Sequence, residues 1–495
     1  MATEEIGGRT VSWPSRPTAL PLLGVVILLA LKLSALLAFG PTMMPDSAGY
    51  IGYADAIIAG SFRHVDLDGE VIPVVLARPI GYPAIIAAAK IVAGGDWPWA
   101  IVLLQFAASM CATGMVYRLA RMLRLGVWAA LGVAAAQATS MQFVVDQAVL
   151  SDGLCASAMT IAACIASAIV LRREPPRLGR SLGIGTLIVV AFLMRDVIEF
   201  IAIGFIPMAA AAAMTERSGL RKCAAFALVF LPLILAQRGY SEWNRARVGA
   251  GIVTTVSQWT LFDALGNASQ YDPTIFSGSA PIDATGRRVF KSFEIGDELS
   301  EAFEANNILH REYGWSAVRI AHEISVAYLR AWQHHPLAMA RHMLISFSEM
   351  QLHQAVRPTE TVRDMLLWNT GSDDDFARER AVRDGNWWMI PAVIVHRLAE
   401  TISVGIFAAF VLITPLRLVR DGLTAETRAC AGLLFSYLVL VVLYAAVHLE
   451  PRYLVPVVAG SIVVGAANLA WLLARYRGRM GASSAPATPV DHPSG

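Results

Sequence analysis

The sequence predicts an all-α polytopic membrane protein. Hydrophobic residues make up 56% of the chain and charged residues only 16%, and the mean hydropathy is +0.53. These values lie above those typical of soluble domains. The apolar residues are gathered in runs of about 20, the length at which a helix crosses the hydrocarbon core of a bilayer. Short basic clusters separate the runs.

Ten apolar runs are predicted as membrane-spanning helices from their length and composition. They lie near residues 18–39, 99–117, 126–145, 149–171, 180–194, 197–214, 222–238, 398–416, 427–447 and 454–474. A further run, 80–95, is short, contains Lys90 and ends in Gly94-Gly95-Asp96. We interpret this run as an interfacial or re-entrant helix.

The basic clusters predict the orientation of the chain. They lie at Arg118, Arg121 and Arg124; Arg172, Arg173, Arg177 and Arg180; Arg217, Arg221 and Lys222; Arg417 and Arg420; Arg475, Arg477 and Arg479. With ten spans and the 80–95 run excluded, every cluster falls on the side of the N-terminus. The positive-inside rule makes that side cytoplasmic. Both termini are therefore predicted to be cytoplasmic.

The distribution of polar residues predicts four segments. Residues 1–238 form an N-terminal transmembrane module whose first external loop spans 40–98. Residues 239–397 are more polar, contain helix-like stretches at Trp315–Trp332 and Pro336–His353, and are predicted to form a small external domain. Residues 398–480 supply the C-terminal transmembrane helices. Residues 481–495, rich in Ala, Ser and Pro, are predicted to be a disordered cytoplasmic tail.

Charge and cysteine usage argue against several functions. The net charge is +2, and the basic residues form no continuous stripe, so nucleic acid is not an expected partner. The five cysteines form no CxxC pair, which argues against a disulfide framework and a zinc site. The histidines of the external segment lack a metal-binding spacing, and the Asp373-Asp374-Asp375 run is interpreted as a polar loop.

Charged residues are concentrated at the predicted outer ends of the spans. A charge at the bilayer centre costs roughly 2.5–3.5 kcal/mol, and the span interiors contain almost none, with Lys32 the main exception. The outer ends carry Asp46, Arg78, Asp146, Asp152, Arg195, Asp196, Glu450 and Arg452. These residues predict an external cavity with an apolar floor, which Lys32 would reach by snorkelling.

Such a cavity suits a substrate with a lipid tail and a phosphate head group. The arginines would neutralise the phosphate through charge-assisted hydrogen bonds. A carboxylate would remove a proton from an incoming hydroxyl. Glycosyl transfer from a lipid phosphate needs these two functions, because phosphate is a good leaving group that requires charge stabilisation more than protonation.

Three motifs carry a resemblance to a known superfamily. They are Asp46-Ser47-x-x-Tyr50-x-x-x-Ala54 after the first span, Arg78-Pro79-Ile80-Gly81-Tyr82-Pro83 before the 80–95 helix, and Arg452-Tyr453-x-x-Pro456 before the last span. The chain resembles the GT-C superfamily of membrane glycosyltransferases. Within it, the motifs are similar to those of bacterial members related to protein O-mannosyltransferases, aminoarabinose transferases of lipid A and Rgt-type transferases of lipopolysaccharide core. The external segment matches no member.

The resemblance implies a GT-C fold with interfacial helices in the first external loop and a small extracytoplasmic domain. It also implies an inverting glycosyltransferase of the bacterial inner membrane. Such an enzyme moves a sugar from a polyprenyl-phosphate donor to an envelope glycan, lipid or protein on the extracytoplasmic side. Asp46 stands at the position of the catalytic base. Ser47 stands where many members have a second acid, so metal dependence is left open, with a divalent metal as the one cofactor considered.

The resulting hypothesis places the donor phosphate near three arginines, with the remaining candidates around the substrate. The arginines are Arg78, Arg195 and Arg452, and the other substrate-binding candidates are Tyr50, Tyr82, Asp152, Asp196, Glu450 and Tyr453. Structural alternatives exist for these residues. Asp46 could form a turn or a helix N-cap. Arg78 and the tyrosines could be interfacial anchors, and Arg195 could form a local ion pair with Asp196.

Three other functions are compatible with the sequence. A lipid-linked glycan flippase or transporter would need polar residues near mid-membrane, and Lys32 is the best indication of one. A GT-C-type glycan ligase or polymerase would share the fold and use another donor. A non-catalytic scaffold would leave the outward acids and arginines without a purpose.

Overall fold

The computed structural model describes residues 19–60, 63–65, 71–73, 76, 78–173, 177–290, 298–356, 402–447 and 451–483. Three of the sequence features lie outside these residues: Glu450, the Asp373–Asp375 run and positions 484–495 of the predicted tail. The helices of the N-terminal module are α1 (Ala19–Phe39), α2 (Pro45–Ala59), α3 (Gly81–Ala93), α4 (Trp97–Met122), α5 (Val127–Ala138), α6 (Met141–Gln147), α7 (Asp152–Arg172), α8 (Leu178–Met194), α9 (Ile198–Ile201), α10 (Ile206–Ala213) and α11 (Gly219–Val248).

The remaining helices form the external segment and the C-terminal part. The external segment contains α12 (Ser257–Ser269), α13 (Pro281–Val289), α14 (Glu298–Tyr313), α15 (Ala317–His334) and α16 (Pro336–Val356). The C-terminal helices are α17 (Ile402–Asp421), which includes a π-helical turn at Ala409–Ile413, α18 (Ala425–Val447) and α19 (Val455–Ser483). The all-α prediction is confirmed, apart from a short antiparallel hairpin of β1 (Arg63–Val65) and β2 (Val71–Pro73) in the first loop.

Fewer helices than the ten predicted are both long and apolar enough to count as membrane spans. In the described part of the chain, six helices are long and apolar enough to cross a membrane, or seven if the bent pair α5 and α6 counts as one span. Three more apolar helices, within α1, in α8 and in the α9–α10 region, are shorter. Every predicted span therefore falls on helical structure, but a count of ten stays a prediction. The protein is a multi-pass membrane protein.

Helix α7 lies at the centre of the transmembrane bundle. It packs against α4, α8, α10, α18 and α19, and most of its residues are buried. Its sequence is rich in Gly, Ala, Ser and Cys, and such small side chains let neighbouring helices approach closely inside a membrane. The first residue of this central helix is Asp152, so the helix carries a predicted site residue at one end.

Helices α3 and α4 form a helical hairpin. The Tyr82 hydroxyl donates a hydrogen bond to Gln105 Oε1 at 2.9 Å, although 23 residues separate them. In one straight helix the two residues would lie about 35 Å apart. The chain reverses at the 3₁₀ turn Gly94–Asp96, where Gly94 adopts a φ of +55°. The predicted interfacial helix is therefore a separate element, folded back beside the span that follows it.

Lys32 does not reach an external cavity, which corrects the snorkelling expectation. Its ammonium group forms a 2.6 Å ion pair with Asp146, and the two side chains are 2% and 1% exposed. Lys32 also donates to the hydroxyl of Ser109. Asp146, expected at the outer surface, is likewise buried. A buried charge needs a partner inside the protein, and here α1 and α6 supply the two halves of the pair.

The external segment has a hydrophobic core of its own. Phe262, Phe276 and Phe290 pack with ring centroids 5.4–5.8 Å apart, and residues of α14, α15 and α16 complete the cluster. The stretches predicted as helical at 315–332 and 336–353 are helices α15 and α16. The Tyr328 hydroxyl donates to the carbonyl of Ala446 at 2.7 Å, which joins this segment to the end of α18.

Candidate active site

Asp46 lies in the first turn of α2, directly after α1 ends. The helix N-cap is Met44, and the hydroxyl of Ser47 accepts a hydrogen bond from the Met44 N–H at 2.9 Å. Ser47 therefore supplies the side-chain oxygen at this helix start, and Asp46 does not occupy the N-cap position. A carboxylate in the first turn is favoured by the positive end of the helix dipole.

The segment before Asp46 is paired with the segment before Asp152. Thr42 and Ala148 form an isolated parallel bridge, in which the Thr42 N–H donates to Gln147 at 2.8 Å and the Val149 N–H donates to Thr42 at 2.9 Å. Asp46 follows Thr42 by four residues, and Asp152 follows Ala148 by four. The bridge thus sets the two acids in matching positions at the starts of α2 and α7.

Side-chain hydrogen bonds continue this pairing into the helices. The hydroxyl of Ser47 donates to the carbonyl of Val149 at 2.8 Å, and the hydroxyl groups of Tyr50 and Ser151 lie 2.7 Å apart. All of these side-chain contacts are buried. The first turns of α2 and α7 are therefore fixed against each other.

Each acid is paired with an arginine from another part of the chain. Arg78 donates to Asp46 Oδ1 at 2.7 Å, with the two side chains 23% and 27% exposed. Arg195 pairs with Asp152, whose side chain is 4% exposed. The local pair of Arg195 with Asp196, one of the structural alternatives, is not what the structure shows. Asp196 instead accepts a hydrogen bond from the hydroxyl of Thr254.

Aromatic rings stack on both guanidinium groups. Arg78 lies over the ring of Tyr50 at 5.0 Å, and Arg195 lies over the ring of Tyr453 at 4.3 Å. The ring of Tyr453 stacks in turn on Tyr444, with centroids 4.6 Å apart. A cation over an aromatic face is attracted by the ring quadrupole and held in orientation. Both guanidinium groups therefore have a carboxylate and a ring as fixed neighbours.

The two arginine–aspartate pairs share one electrostatic environment. Burial alone would lower the pKa of Arg78, but Tyr50, Asp46 and Tyr453 outweigh it, and the pKa lies above its usual range. Burial also opposes the charge of Arg195, and its pKa is raised chiefly by Asp152. The positive charge of Arg195 works against that of Arg78. Two permanently charged guanidinium groups thus lie near each other, one paired with Asp46 and the other with Asp152.

Gly81 allows the elements that carry the two arginines to approach. A Cβ atom built on Gly81 would lie 2.5 Å from the carbonyl oxygen of Leu193 and 2.7 Å from its Cβ atom. Leu193 is near the end of α8, two residues before Arg195, and Gly81 opens α3, three residues after Arg78. The glycine of the second motif is therefore required by close contact between the start of α3 and the end of α8.

The start of the external segment connects the same two elements. The Thr255 N–H donates to the carbonyl of Leu76 at 2.6 Å, and the neighbouring Thr254 donates to Asp196. One short segment therefore joins the loop before Arg78 to the turn after α8. Neither threonine was predicted from the sequence, because a Thr-Thr pair in a polar stretch has no distinguishing signal.

The remaining predicted residues lie in different surroundings. The rings of Tyr50 and Tyr82 are 2% and 0% exposed and meet edge to face at 5.0 Å, so they are packed inside the protein and not in an aromatic belt, with Tyr50 beneath Arg78. Arg452 belongs to the 3₁₀ turn Pro451–Leu454 beside Tyr453, and Glu450 lies outside the described residues. Tyr444 and Gln105 support the site and were missed, since neither belongs to a recognisable motif.

Comparison with known proteins gives similarity at the level of structure. No protein-family model matches the chain, and no curated protein matches it. The oligosaccharyltransferase AglB from Archaeoglobus fulgidus, in complex with an inhibitory peptide and a dolichol-phosphate, is similar with a TM-score of 0.47 at 12% identity, over 95% of this chain and 52% of AglB. Its apo form is similar with a TM-score of 0.45 at 12% identity, over 94% of this chain and 52% of that one.

A bacterial structure is also similar. ArnT from Cupriavidus metallidurans bound to undecaprenyl phosphate gives a TM-score of 0.35 at 13% identity, over 96% of this chain and 82% of ArnT. ArnT is an aminoarabinose transferase. The chain spans about half the length of the archaeal oligosaccharyltransferase. All TM-scores are below 0.5, so residue roles are assigned below from the geometry of the site.

The described residues of the site do not fit a divalent metal. Asp46 and Asp152 are each paired with an arginine, and a neighbouring guanidinium opposes the binding of a second cation. The hydroxyl of Ser47 is 1% exposed and is occupied by two hydrogen bonds. Within the described ranges, no group of three or more His, Cys, Asp or Glu side chains is arranged to hold a metal ion. The fixed positive charge of the site comes from arginine.

Proposed function

We propose that the protein transfers a sugar from a polyprenyl-phosphate donor to an acceptor hydroxyl of the cell envelope, with inversion at the anomeric carbon. The observation that carries this proposal is the pair of neighbouring Arg–Asp units, Arg78 with Asp46 and Arg195 with Asp152. One end of the membrane bundle thus holds two permanent cations and two carboxylates. These groups suit the reaction, because the leaving phosphate needs cations and the acceptor hydroxyl needs a base.

The two guanidinium groups form the donor phosphate site in this proposal. Guanidinium groups bind phosphate through two parallel N–H bonds, and Arg78 and Arg195 lie within each other's electrostatic influence. A phosphate between them would relieve their mutual repulsion. The leaving phosphate carries its negative charge into a site that already holds two cations, which is the preorganised stabilisation that accelerates such reactions.

Asp46 is the proposed general base, and Arg78 controls it. In the structure Arg78 donates to Asp46 at 2.7 Å. A donor phosphate competes for the same guanidinium, so donor binding turns the Asp46 carboxylate towards the acceptor. The acceptor O–H proton then passes to Asp46, the acceptor oxygen bonds to the anomeric carbon, and the bond from that carbon to the phosphate oxygen breaks. A general base of this kind contributes about 10²- to 10⁴-fold in rate.

Asp152 has a different role from Asp46. Its side chain is 4% exposed, against 27% for Asp46, and it pairs with Arg195 at the start of the central helix α7. Asp152 therefore orients Arg195 from below, while the more accessible Asp46 faces the acceptor. Asp196, whose carboxylate accepts from Thr254, fixes the turn that carries Arg195.

The site belongs on the extracytoplasmic side in this proposal. Helices α7, α8 and α19 each begin or end at the site, and at their opposite ends lie the basic clusters around Arg172, Arg180 and Arg475. Basic residues accumulate on the cytoplasmic side of inner-membrane proteins. The donor sugar would thus be used after its carrier lipid has crossed the bacterial inner membrane, and both termini would be cytoplasmic.

The transporter alternative loses its main support from the sequence. Lys32, the main charge in the interior of a predicted span, is held in a buried ion pair with Asp146 and lines no external cavity. A glycan ligase or polymerase shares the proposed chemistry and differs only in the glycan attached to the carrier. Donors that carry a single sugar and donors that carry a longer glycan on the carrier lipid, compared in one transfer assay, distinguish these two enzymes.

Binding of the carrier lipid alone tests the phosphate site. Purified protein in detergent is titrated with undecaprenyl phosphate and, in parallel, with uncharged undecaprenol. Loss of a hydrogen bond to a charged group costs about 1.5–3 kcal/mol, so Arg78→Gln and Arg195→Gln are each expected to weaken undecaprenyl phosphate binding by at least about 10-fold. Arg341→Gln is the matched control, because Arg341 also lies over a tyrosine ring, at 4.4 Å from Tyr271, in the external segment.

Three outcomes would count against the proposal. Equal binding of undecaprenol and undecaprenyl phosphate would remove the phosphate site. An equal loss of affinity in Arg341→Gln would show that the effect is not local. Movement of labelled carrier lipid across proteoliposomes without any glycosidic product would favour the transporter.

A further inference from the structure

The buried pair of Lys32 and Asp146 has no part in the chemistry described above. Lys32 Nζ lies 2.6 Å from Asp146 Oδ2 and donates to Ser109 Oγ at 2.9 Å. The other carboxylate oxygen of Asp146 accepts from Gln142 Nε2 at 2.6 Å. The network joins α1, α4 and α6, and each of its four side chains is at least 98% buried. Each oxygen of the Asp146 carboxylate thus accepts a hydrogen bond from a buried side chain.

Such a pair is a poor source of stability in itself. The cost of removing two charges from water is repaid only in part by their attraction, and an apolar pair of similar volume often stabilises a protein as well. The best attested use of a buried ion pair is to fix the register of the elements that carry it. The location of this pair is therefore the informative feature.

The two residues of the ion pair precede the two segments that lead to the candidate site. Asp146 precedes Ala148 by two residues, and Ala148 forms the parallel bridge with Thr42. On the other side, Lys32 lies on α1, which ends at Phe39, directly before Thr42. The ion pair and the bridge thus fix the same two segments at two successive points, and Asp46 and Asp152 follow at equal distances beyond the bridge.

Gln105 reinforces this arrangement from α4. Its side-chain amide donates to the carbonyls of Asp146 and Ala148 at 3.1 and 2.8 Å, and its side-chain oxygen accepts from the Tyr82 hydroxyl. The segment that carries Asp152 is therefore held by α1, by the first loop and by the α3–α4 hairpin. A displacement of α6 relative to α1 would be passed to both acids.

We infer that Lys32 and Asp146 are positioning residues that set the register between the segment leading to Asp46 and the segment leading to Asp152. Removing the pair lets the Thr42–Ala148 bridge shift, and the two Arg–Asp units lose their relative placement. The consequence for turnover rests on the proposed function. The register itself does not, because it is measured without any substrate.

Disulfide formation across the bridge measures the register directly. Thr42→Cys and Ala148→Cys place two thiols on a pair of bridged residues, at a separation that a disulfide spans. The rate of disulfide formation after addition of copper phenanthroline is followed by peptide mass spectrometry, which separates this bond from the five native cysteines. The same pair of cysteines is then introduced with Lys32→Met and Asp146→Leu.

The apolar variant is expected to form the disulfide at least about tenfold more slowly. The matched control is Lys90→Met with Asp55→Leu, which removes the ion pair between α3 and α2 and should leave the rate within about twofold. A rate equal to that of the parent in the Lys32→Met/Asp146→Leu background overturns the inference, whether or not the protein proves to be a transferase. If this variant is not monodisperse, Lys32→Gln with Asp146→Asn removes the charges but leaves polar side chains at both positions. It should slow the reaction at least threefold, and an unchanged rate there overturns the inference equally.

A second readout separates positioning from general stability. Once formed, the disulfide holds the bridge covalently, so it should restore undecaprenyl phosphate binding to the Lys32→Met/Asp146→Leu variant, and a reductant should remove the gain. This readout applies once the parent protein is shown to bind undecaprenyl phosphate. A merely structural role for the ion pair would then leave binding unrestored in the oxidised variant, and that result contradicts the inference.

Discussion

Replacing Gly81 by alanine tests whether close approach of α3 and α8 assembles the site. The added Cβ atom would lie 2.5 Å from the carbonyl oxygen of Leu193, whereas ordinary contact begins at 3.4 Å, a deficit of 0.9 Å. Two backbones have to separate to remove it, because the obstructing atom is a main-chain oxygen. Overpacking of this size costs about 1–3 kcal/mol of stability, and a misplacement of about 1 Å at an active site costs about 10²-fold in rate.

We therefore expect Gly81→Ala to fold, with a lower melting temperature, and to lose about 100-fold in sugar transfer. The control is Gly95→Ala, in the turn of the same helical hairpin, where an added Cβ atom has no neighbour within 4 Å. The assay is steady-state transfer by purified protein, with thermal unfolding in the same detergent. Equal turnover in the two variants would refute the reasoning, because the contact with Leu193 would then be irrelevant to the distance between Arg78 and Arg195.

Three further predictions concern the neighbours of the two acids. Arg195→Lys should weaken undecaprenyl phosphate binding by at least about 10-fold, since an ammonium group lacks the planar fork of guanidinium, and unchanged titration curves would contradict this. Tyr453→Leu removes the ring over Arg195, an interaction of about 0.5–2 kcal/mol, and should weaken the same binding by about 2- to 30-fold; wild-type affinity would argue against the stacking. Ser47→Asp, which restores the second acid found in many GT-C members, should fail to give monodisperse protein because it buries an unpaired charge, and metal-stimulated turnover by this variant would contradict the account.

Local patterns in the sequence were sufficient for much of the fold. Runs of apolar residues predicted the helices, and the turn sequence Gly94-Gly95-Asp96 predicted that the 80–95 helix is separate from the next span. The same patterns placed Asp46, Arg78 and Arg195 at helix ends. These features depend on hydropathy and on turn residues, which are readable within about 20 residues of chain.

The pairing of the charged residues was not predictable in this way. The sequence suggested that Arg195 pairs with its neighbour Asp196, but the partner is Asp152, 43 residues away. Lys32 was assigned to the external cavity, yet its partner Asp146 lies 114 residues away. Hydropathy reports where a charge lies along a helix but not which face it occupies or what lies opposite, and both of these depend on tertiary packing.

The count of spans shows a different limit. Hydropathy alone does not distinguish one long span from a bent pair, and α5 and α6 meet at an angle of 49°. Residues Thr139 and Ser140 lie at this bend, and the side chain of Ser140 caps α6 by accepting from the Gln142 N–H. A serine within an apolar run is ordinarily compatible with a continuous helix, so this break had no clear signal.

The most direct test of the account is the effect of Asp46→Asn on carrier binding and sugar transfer, measured side by side. Transfer is followed with labelled sugars on undecaprenyl phosphate, presented as a panel of donors with an envelope extract as acceptor. Asp55→Asn is the control, because Asp55 lies on the same helix and its side chain is 58% exposed in an ion pair with Lys90. We predict that Asp46→Asn binds undecaprenyl phosphate within about threefold of wild type and loses at least about 10² in turnover, while Asp55→Asn keeps both. Undiminished transfer by correctly folded Asp46→Asn protein would contradict the assignment of Asp46 as the base.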